Sequence, residues 1–218
     1  MEAWGMAEAE AAKTGGRRAE RRVQIARAAL AVMAREGVAR LTARRVVAEA
    51  GLSLGHLTYN FDGMDEVLSE AYRLLSADLA AAGEAALQGA DGPKARVSAF
   101  LRTGFAAPFL TPDHLRLRLD LWSAARWHPG IAATERDLYE RYRARLEGLL
   151  APFGADPARV TAVVDVVMAA LDGLWLDHAR RADQAALARG LAECEALLFS
   201  LGPEGSGGQA AGRDPSPR

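Results

Sequence analysis

Cysteine is almost missing from this chain of 218 residues. The single one, Cys194, cannot close an internal disulfide, so packing has to hold the fold. With one cysteine and four widely spaced histidines, no Cys/His zinc site can be assembled, and neither a metal nor a cofactor is expected. No apolar run reaches the ~18 residues that span a bilayer. The first residues lack the basic-then-apolar order of a secretory leader, so a cytoplasmic protein without membrane contact is expected. Series of short β-branched runs bounded by turns are absent too, which leaves nothing to pair into a sheet. The chain carries no G-x-S-x-G, no Gly-rich phosphate loop, no HExxH and no Cys/His dyad, so an enzyme is not expected.

The composition that remains is that of an ordinary globular protein, 50% hydrophobic and 25% charged. The net charge of −1 conceals a division. Residues 1–12 hold three acids and no base. Residues 13–45 hold ten bases against Glu20 and Glu36, a local charge of +8. The rest of the chain is acidic, at −6. A basic front on an acidic body fits a polyanion-binding module joined to something else, although a solvated Arg-rich helix face would have the same composition.

Ala- and Leu-rich periodicity predicts an all-α protein. Helices are expected at 17–36, 43–50, 54–60, 64–88, 93–109, 113–128, 130–150, 157–182 and 184–201. Glycine or proline punctuates most of the joints: Gly37, Gly51, Gly89 to Pro93, Pro112, Pro129 and Gly154. Leu115 to Leu121 alternates with period two like a strand, but no second strand is available to pair with it, so it is assigned to a helix. The expected organisation is a flexible tail (1–16), a helix–turn–helix domain (17–64), a helical ligand-binding and dimerisation domain (65–201) and a disordered Gly/Ser/Pro-rich tail (202–218).

The stretch from Leu41 to Phe61 is the most informative. Thr42 caps a helix of about eight residues that ends at Gly51. A turn through Leu52 and Ser53 follows, and a second short helix begins. Val46, Val47, Ala50, Leu52, Leu57 and Phe61 close a small core, leaving Ser53, His56, Thr58, Tyr59 and Asn60 facing outward. That is the layout of a helix–turn–helix, whose second helix enters the major groove of DNA. An ordinary αα-hairpin would share the local pattern; the +8 segment beside it favours double-stranded DNA.

This stretch resembles the TetR family of bacterial regulators. The matching positions over residues 20–70 are Thr42, Val46, Val47-Ala48, Ala50 to Ser53, Gly55, Leu57, Tyr59, Phe61 and Val67-Leu68. More weakly, Leu121 to Pro129 and Ala170 to Trp175 are similar to the branch that contains the choline-sensing BetI-type repressors. Two positions depart: Leu54 and Met64 stand where the family often has phosphate-facing lysines. The resemblance implies a homodimeric repressor on a near-palindromic operator, released by a small-molecule inducer. The alternative is a ligand-binding or scaffold protein whose helix–turn–helix no longer binds DNA.

At the DNA surface, Thr42 is expected on a phosphate, with Arg44 or Arg45 beside it on phosphate or a base edge. Tyr59 offers a hydroxyl to the backbone. Ser53, His56, Thr58 and Asn60 face the groove, and Gly55 lets the helix approach closely. Arg17, Arg18, Arg21 and Arg22 form a basic lead-in or a solvated helix end.

In the C-terminal region, Asp165, Met168, Asp172 and Trp175 share one helix face. Together with Phe105 and Trp122 they suit an organic cation, through ring faces and carboxylate charge. Pairing of the two aspartates with arginines is the other reading. Trp122 and Trp127, five residues apart, cannot share a face; at most one lines a pocket and the other belongs to the core. The helix at 157–182 is apolar on more than one face (Val164, Val167, Leu171 and Leu174; Val163, Val166 and Ala170), as expected of a buried or intersubunit helix. Cys194 reads as a buried small residue.

Overall fold

The computed structural model describes the backbone of residues 2–202 and the side chains of residues 15–202. It is all-helical over this range: α1 (Glu2–Glu36), α2 (Ala43–Ala50), α3 (Leu54–Asn60), α4 (Met64–Gln88), α5 (Pro93–Thr103), α6 (Pro112–Ala124), α7 (Pro129–Leu150), α8 (Pro157–Arg181) and α9 (Gln184–Phe199). The Leu115–Leu121 alternation lies within α6. The tail expected at 202–218 falls, beyond Gly202, outside the described residues.

Three boundaries differ from expectation by more than two residues. α1 starts at Glu2, ahead of residue 17, and takes in the segment read as a flexible tail. α5 stops at Thr103 instead of residue 109. Gly104 ends it, and Pro108, which has no N–H and disfavours helix before it, prevents a restart. α6 stops at Ala124 instead of residue 128, because Pro129 opens the next helix and pushes His128 into an extended conformation.

The short helices form as their ends dictate. Thr42 accepts the Arg45 N–H at 3.4 Å. At the other end Gly51, at φ +65°, donates back to the α2 carbonyls, a left-handed stop that suits glycine. Farther along, Asp156 caps α8 and Asp183 caps α9 through backbone N–H groups.

Two main cores result. The first packs Ile25, Met33, Val46, Leu57, Phe61, Val67 and Tyr72 together with Leu117, Leu121 and Ile131. The second joins α5, α7, α8 and α9 through Leu101, Leu146, Val164, Val167, Leu191 and Leu198, and holds Cys194 buried. α4 runs through both: Val67 to Leu75 lie in the first and Leu87 in the second. α6 also belongs to the first core, although it is distant from it in sequence. Among the described residues no helix is long and apolar enough to cross a membrane.

Candidate nucleic-acid interface and ligand cavity

α3 stands out from the first core. Leu57 is buried inward, whereas Ser53, Leu54, Gly55, His56, Thr58 and Tyr59 are exposed, Tyr59 at 72%. His56 folds back onto the start of its own helix: its Nδ1 accepts the Ser53 N–H at 3.4 Å and lies 2.8 Å from the Ser53 hydroxyl. Leu54, in the place of an expected lysine, is 47% exposed on this surface. Met64, the other departure, packs against the first core.

Asn60 does not face outward as expected. It is 4% exposed, and its Nδ2 donates to the His56 carbonyl at 2.7 Å. The helical period explains this, because Asn60 follows Leu57 by three positions and shares its inward face. Arg22 is likewise committed inside the domain. Its guanidinium donates to the Asn60 carbonyl and to Glu66 at 2.8 Å, and lies 4.2 Å from the centre of the Phe61 ring. Arg45 pairs with Glu36. Arg21 donates to Gln24 at 2.8 Å. Arg44 is exposed with no side-chain partner among the described residues. Arg17 and Arg18 are also exposed, and the Arg18 guanidinium sits 5.8 Å from the Tyr59 ring centre. Arg17, Arg18, Thr42, Arg44 and the outer side of α3 are thus exposed, with Arg18 against Tyr59, whereas Arg22 and Asn60 are engaged within the domain.

The second feature is a cavity of about 570 Å³ bounded by α4, α5, α6, α7 and α8. Phe105, Met168, Asp172 and Trp175 line it, as expected. Phe105 tilts against Trp175, with 5.5 Å between ring centres, because the early end of α5 turns the chain toward the cavity. Asp165 is not in the cavity; it is exposed and paired with Arg143. Trp122 lies behind the wall, packed with the Trp175 cluster. Trp127 is neither pocket nor core: it follows the end of α6 and is 82% exposed.

Sequence reasoning missed Arg118 and Glu135 in the wall, whose remaining charged residues besides Asp172 are in ion pairs: Arg73 with Glu70, Arg141 with Asp137 and Arg145 with Glu84. Arg118 lies between two tryptophans, 5.0 Å from the Trp122 ring centre and 5.3 Å from that of Trp175. Its Nε is buried without a hydrogen-bond partner. Burial pushes the Arg118 guanidinium below its ordinary value, against the opposing pull of Asp172. Burial likewise raises the Asp172 carboxyl, with Arg118 opposing. Burial, helped by Asp172, pushes the Glu135 carboxyl up to about 7. Among the described residues neither carboxylate has a hydrogen bond or ion pair. The only sequence signal for these two residues was their charge within otherwise amphipathic helices.

Comparison with known proteins bears on both features. A family model described as bacterial regulatory proteins of the tetR family matches residues 25–71, and one described as the C-terminal region of BetI-type transcriptional repressors matches residues 93–203. The HTH-type transcriptional regulator BetI 2 of Chromohalobacter salexigens is 29% identical over 164 residues, covering 72% of this chain and 76% of its own. A crystal structure described as a transcriptional regulator from Pseudomonas aeruginosa PAO1 superposes with a TM-score of 0.72 at 29% identity, over 84% of this chain and 90% of that one. The multidrug binding protein EbrR, in complex with imidazole, superposes with a TM-score of 0.61 at 26% identity, over 86% and 92%.

Proposed function

Because the chain belongs to the TetR family of transcriptional regulators, with a BetI-type C-terminal region, we propose that it works in the cytoplasm as a dimeric repressor. Its α3 reads a near-palindromic operator, and a small organic cation in the cavity releases the DNA. The observation that carries this reading is the exposed outer face of α3 together with exposed Arg17, Arg18 and Arg44, none of which has a hydrogen-bond or ion-pair partner among the described residues. Family membership also disfavours a helix–turn–helix that has lost DNA binding.

In this reading Arg44, Thr42 and Tyr59 hold phosphates, and Arg17 and Arg18 follow the backbone beside them. Ser53, His56 and Thr58 face base edges, and Gly55 permits close approach. Exposed Leu54 offers an apolar contact for a thymine methyl, a different use of a position where the family often has lysine. One such helix reads few base pairs, so two copies are required. Val166 and Leu176 of α8 and Leu197 of α9 leave apolar surface in solvent, at 58%, 36% and 43% exposure, which a second copy would cover.

α6 supplies the coupling. On one side Arg116 donates to the Ala34 carbonyl, and Asp120 accepts the Val38 N–H at 3.2 Å, so the helix grips the end of α1 and the turn after it. Its Leu117 and Leu121 are part of the first core. Arg118 of the same helix lines the cavity. A ligand that draws Arg118 or its neighbours into a new position moves a rigid element already fastened to the DNA-reading unit. Release follows only if the ligand binds the DNA-free arrangement more tightly than the DNA-bound one.

Fluorescence anisotropy of the full chain on DNA from upstream of its own gene, against scrambled DNA over a salt series, tests the reading. Saturable binding with a steep salt slope and a strong preference for the upstream DNA is expected. Equal weak binding to both DNAs would refute it.

A further inference from the structure

The arrangement of charge around the cavity narrows the class of ligand; the inference rests on the cavity being the inducer site. Six aromatic side chains line the cavity, Tyr72, Phe100, Phe105, Tyr139, Tyr142 and Trp175, and the tryptophan is already engaged by a cation. The Arg118 guanidinium lies over both Trp122 and Trp175, at 5.0 and 5.3 Å from the ring centres. What the wall leaves unserved is hydrogen bonding. Asp172 and Glu135, on α8 and α7, both line the cavity, and neither has a hydrogen-bond or ion-pair partner among the described residues. Beside a bound cation the carboxyls are held ionised and only accept, so they favour a cation that carries N–H groups. Arg118 only donates, and its Nε is buried without an acceptor, at a cost a ligand oxygen would relieve. Leu79, Phe100, Phe105 and Met168 add apolar surface to the same wall.

We propose that the cavity recognises a protonated primary or secondary amine with an apolar body and a hydrogen-bond acceptor, the N–H groups facing Asp172 and Glu135 and the acceptor facing Arg118, in preference to a quaternary ammonium. A cavity of about 570 Å³ leaves room for such a body around the charged group. The guanidinium over Trp175, with the two carboxyl groups, makes this a two-sided polar site within an aromatic wall.

Three probes separate the contributions: tyramine, its N,N,N-trimethyl derivative, which keeps the charge and removes every N–H, and phenethylamine, which lacks the phenolic oxygen. Binding to the full chain is measured by calorimetry, without DNA. Tyramine is expected to bind about tenfold or more tighter than the trimethyl compound and several-fold tighter than phenethylamine. The N–H preference should shrink in Asp172→Asn and in Glu135→Gln, each checked for folding by thermal melting. Equal or tighter binding of the trimethyl derivative would overturn the proposal, as would no detectable binding of tyramine, or a preference unchanged in both variants. The wild-type comparison stands even if a variant fails to fold. Because no operator is used, failure here leaves the DNA-binding result separate: a chain that binds its upstream DNA but prefers the trimethyl compound is a regulator with a different ligand.

Discussion

Replacing Glu135 with glutamine should stabilise the protein at neutral and alkaline pH and leave it unchanged in acid. In the folded protein, burial and Asp172 hold the Glu135 carboxyl at about 7, against an ordinary 4.5. Between these values the folded state keeps a proton that the unfolded chain has released. Stability therefore falls as pH climbs from 4.5 through 7 and levels off above it; below 4.5 both states are protonated and the group contributes nothing. A shift of this size corresponds to about 3 kcal/mol for a group sealed from water. Glu135 is only partly buried on an open cavity, so solvent screening reduces the expected cost to about 1 kcal/mol. Of the other ionisable groups on the cavity, Asp172 is coupled to Glu135 and gains from the substitution in the same direction, while the rest are common to both proteins. For a domain of this length, 1 kcal/mol moves the melting temperature by about 2–4 °C. Circular dichroism melts of both proteins from about pH 4 to about pH 8, at fixed protein concentration, read the difference. Curves that coincide near pH 4 and separate through neutrality are expected. A constant offset across the whole range would show that Glu135 does not titrate from within the cavity, and would refute the reasoning.

Other changes probe the remaining surfaces. Arg44→Ala should weaken operator binding and lower the salt slope by about two, one for each subunit, while the dimer stays intact, as judged by anisotropy and sedimentation. Tyr59→Phe should weaken binding in the same assay without changing the melting temperature. Asn60→Ala should lower stability by about 1 kcal/mol, because it removes a buried side-chain bond, and should leave base preference unaltered in a binding-site selection. Val166→Glu, a charge placed on exposed apolar surface, should shift sedimentation toward monomer with little loss of helical signal by circular dichroism.

Local features of the fold were legible because neighbours in sequence create them. The cap at Thr42 and the left-handed Gly51 need only nearby residues, and both are where the sequence placed them. Met168, Asp172 and Trp175 were readable as one face because the helical period fixes direction. The period is silent about position along the axis. Asp165 points the same way as Asp172 but lies roughly 10 Å farther along α8, where Arg143 of α7 meets it. Arg118 and Glu135 were invisible as site residues because they come from different helices, and only the packing of α6, α7 and α8 brings them to one wall. Asn60 was misread from its polarity, although its spacing from Leu57 already placed it inside.

The contact between Ser53 and His56 also bears on what α3 presents to a docked duplex. A backbone N–H can only donate, so the imidazole nitrogen that accepts it must be unprotonated. The neutral ring therefore carries its hydrogen on Nε2, the far edge, and the tautomer is set before any DNA arrives. The outward group is then a donor, matched to guanine O6 and N7, thymine O4 or a phosphate oxygen, and mismatched to the amino groups of adenine and cytosine.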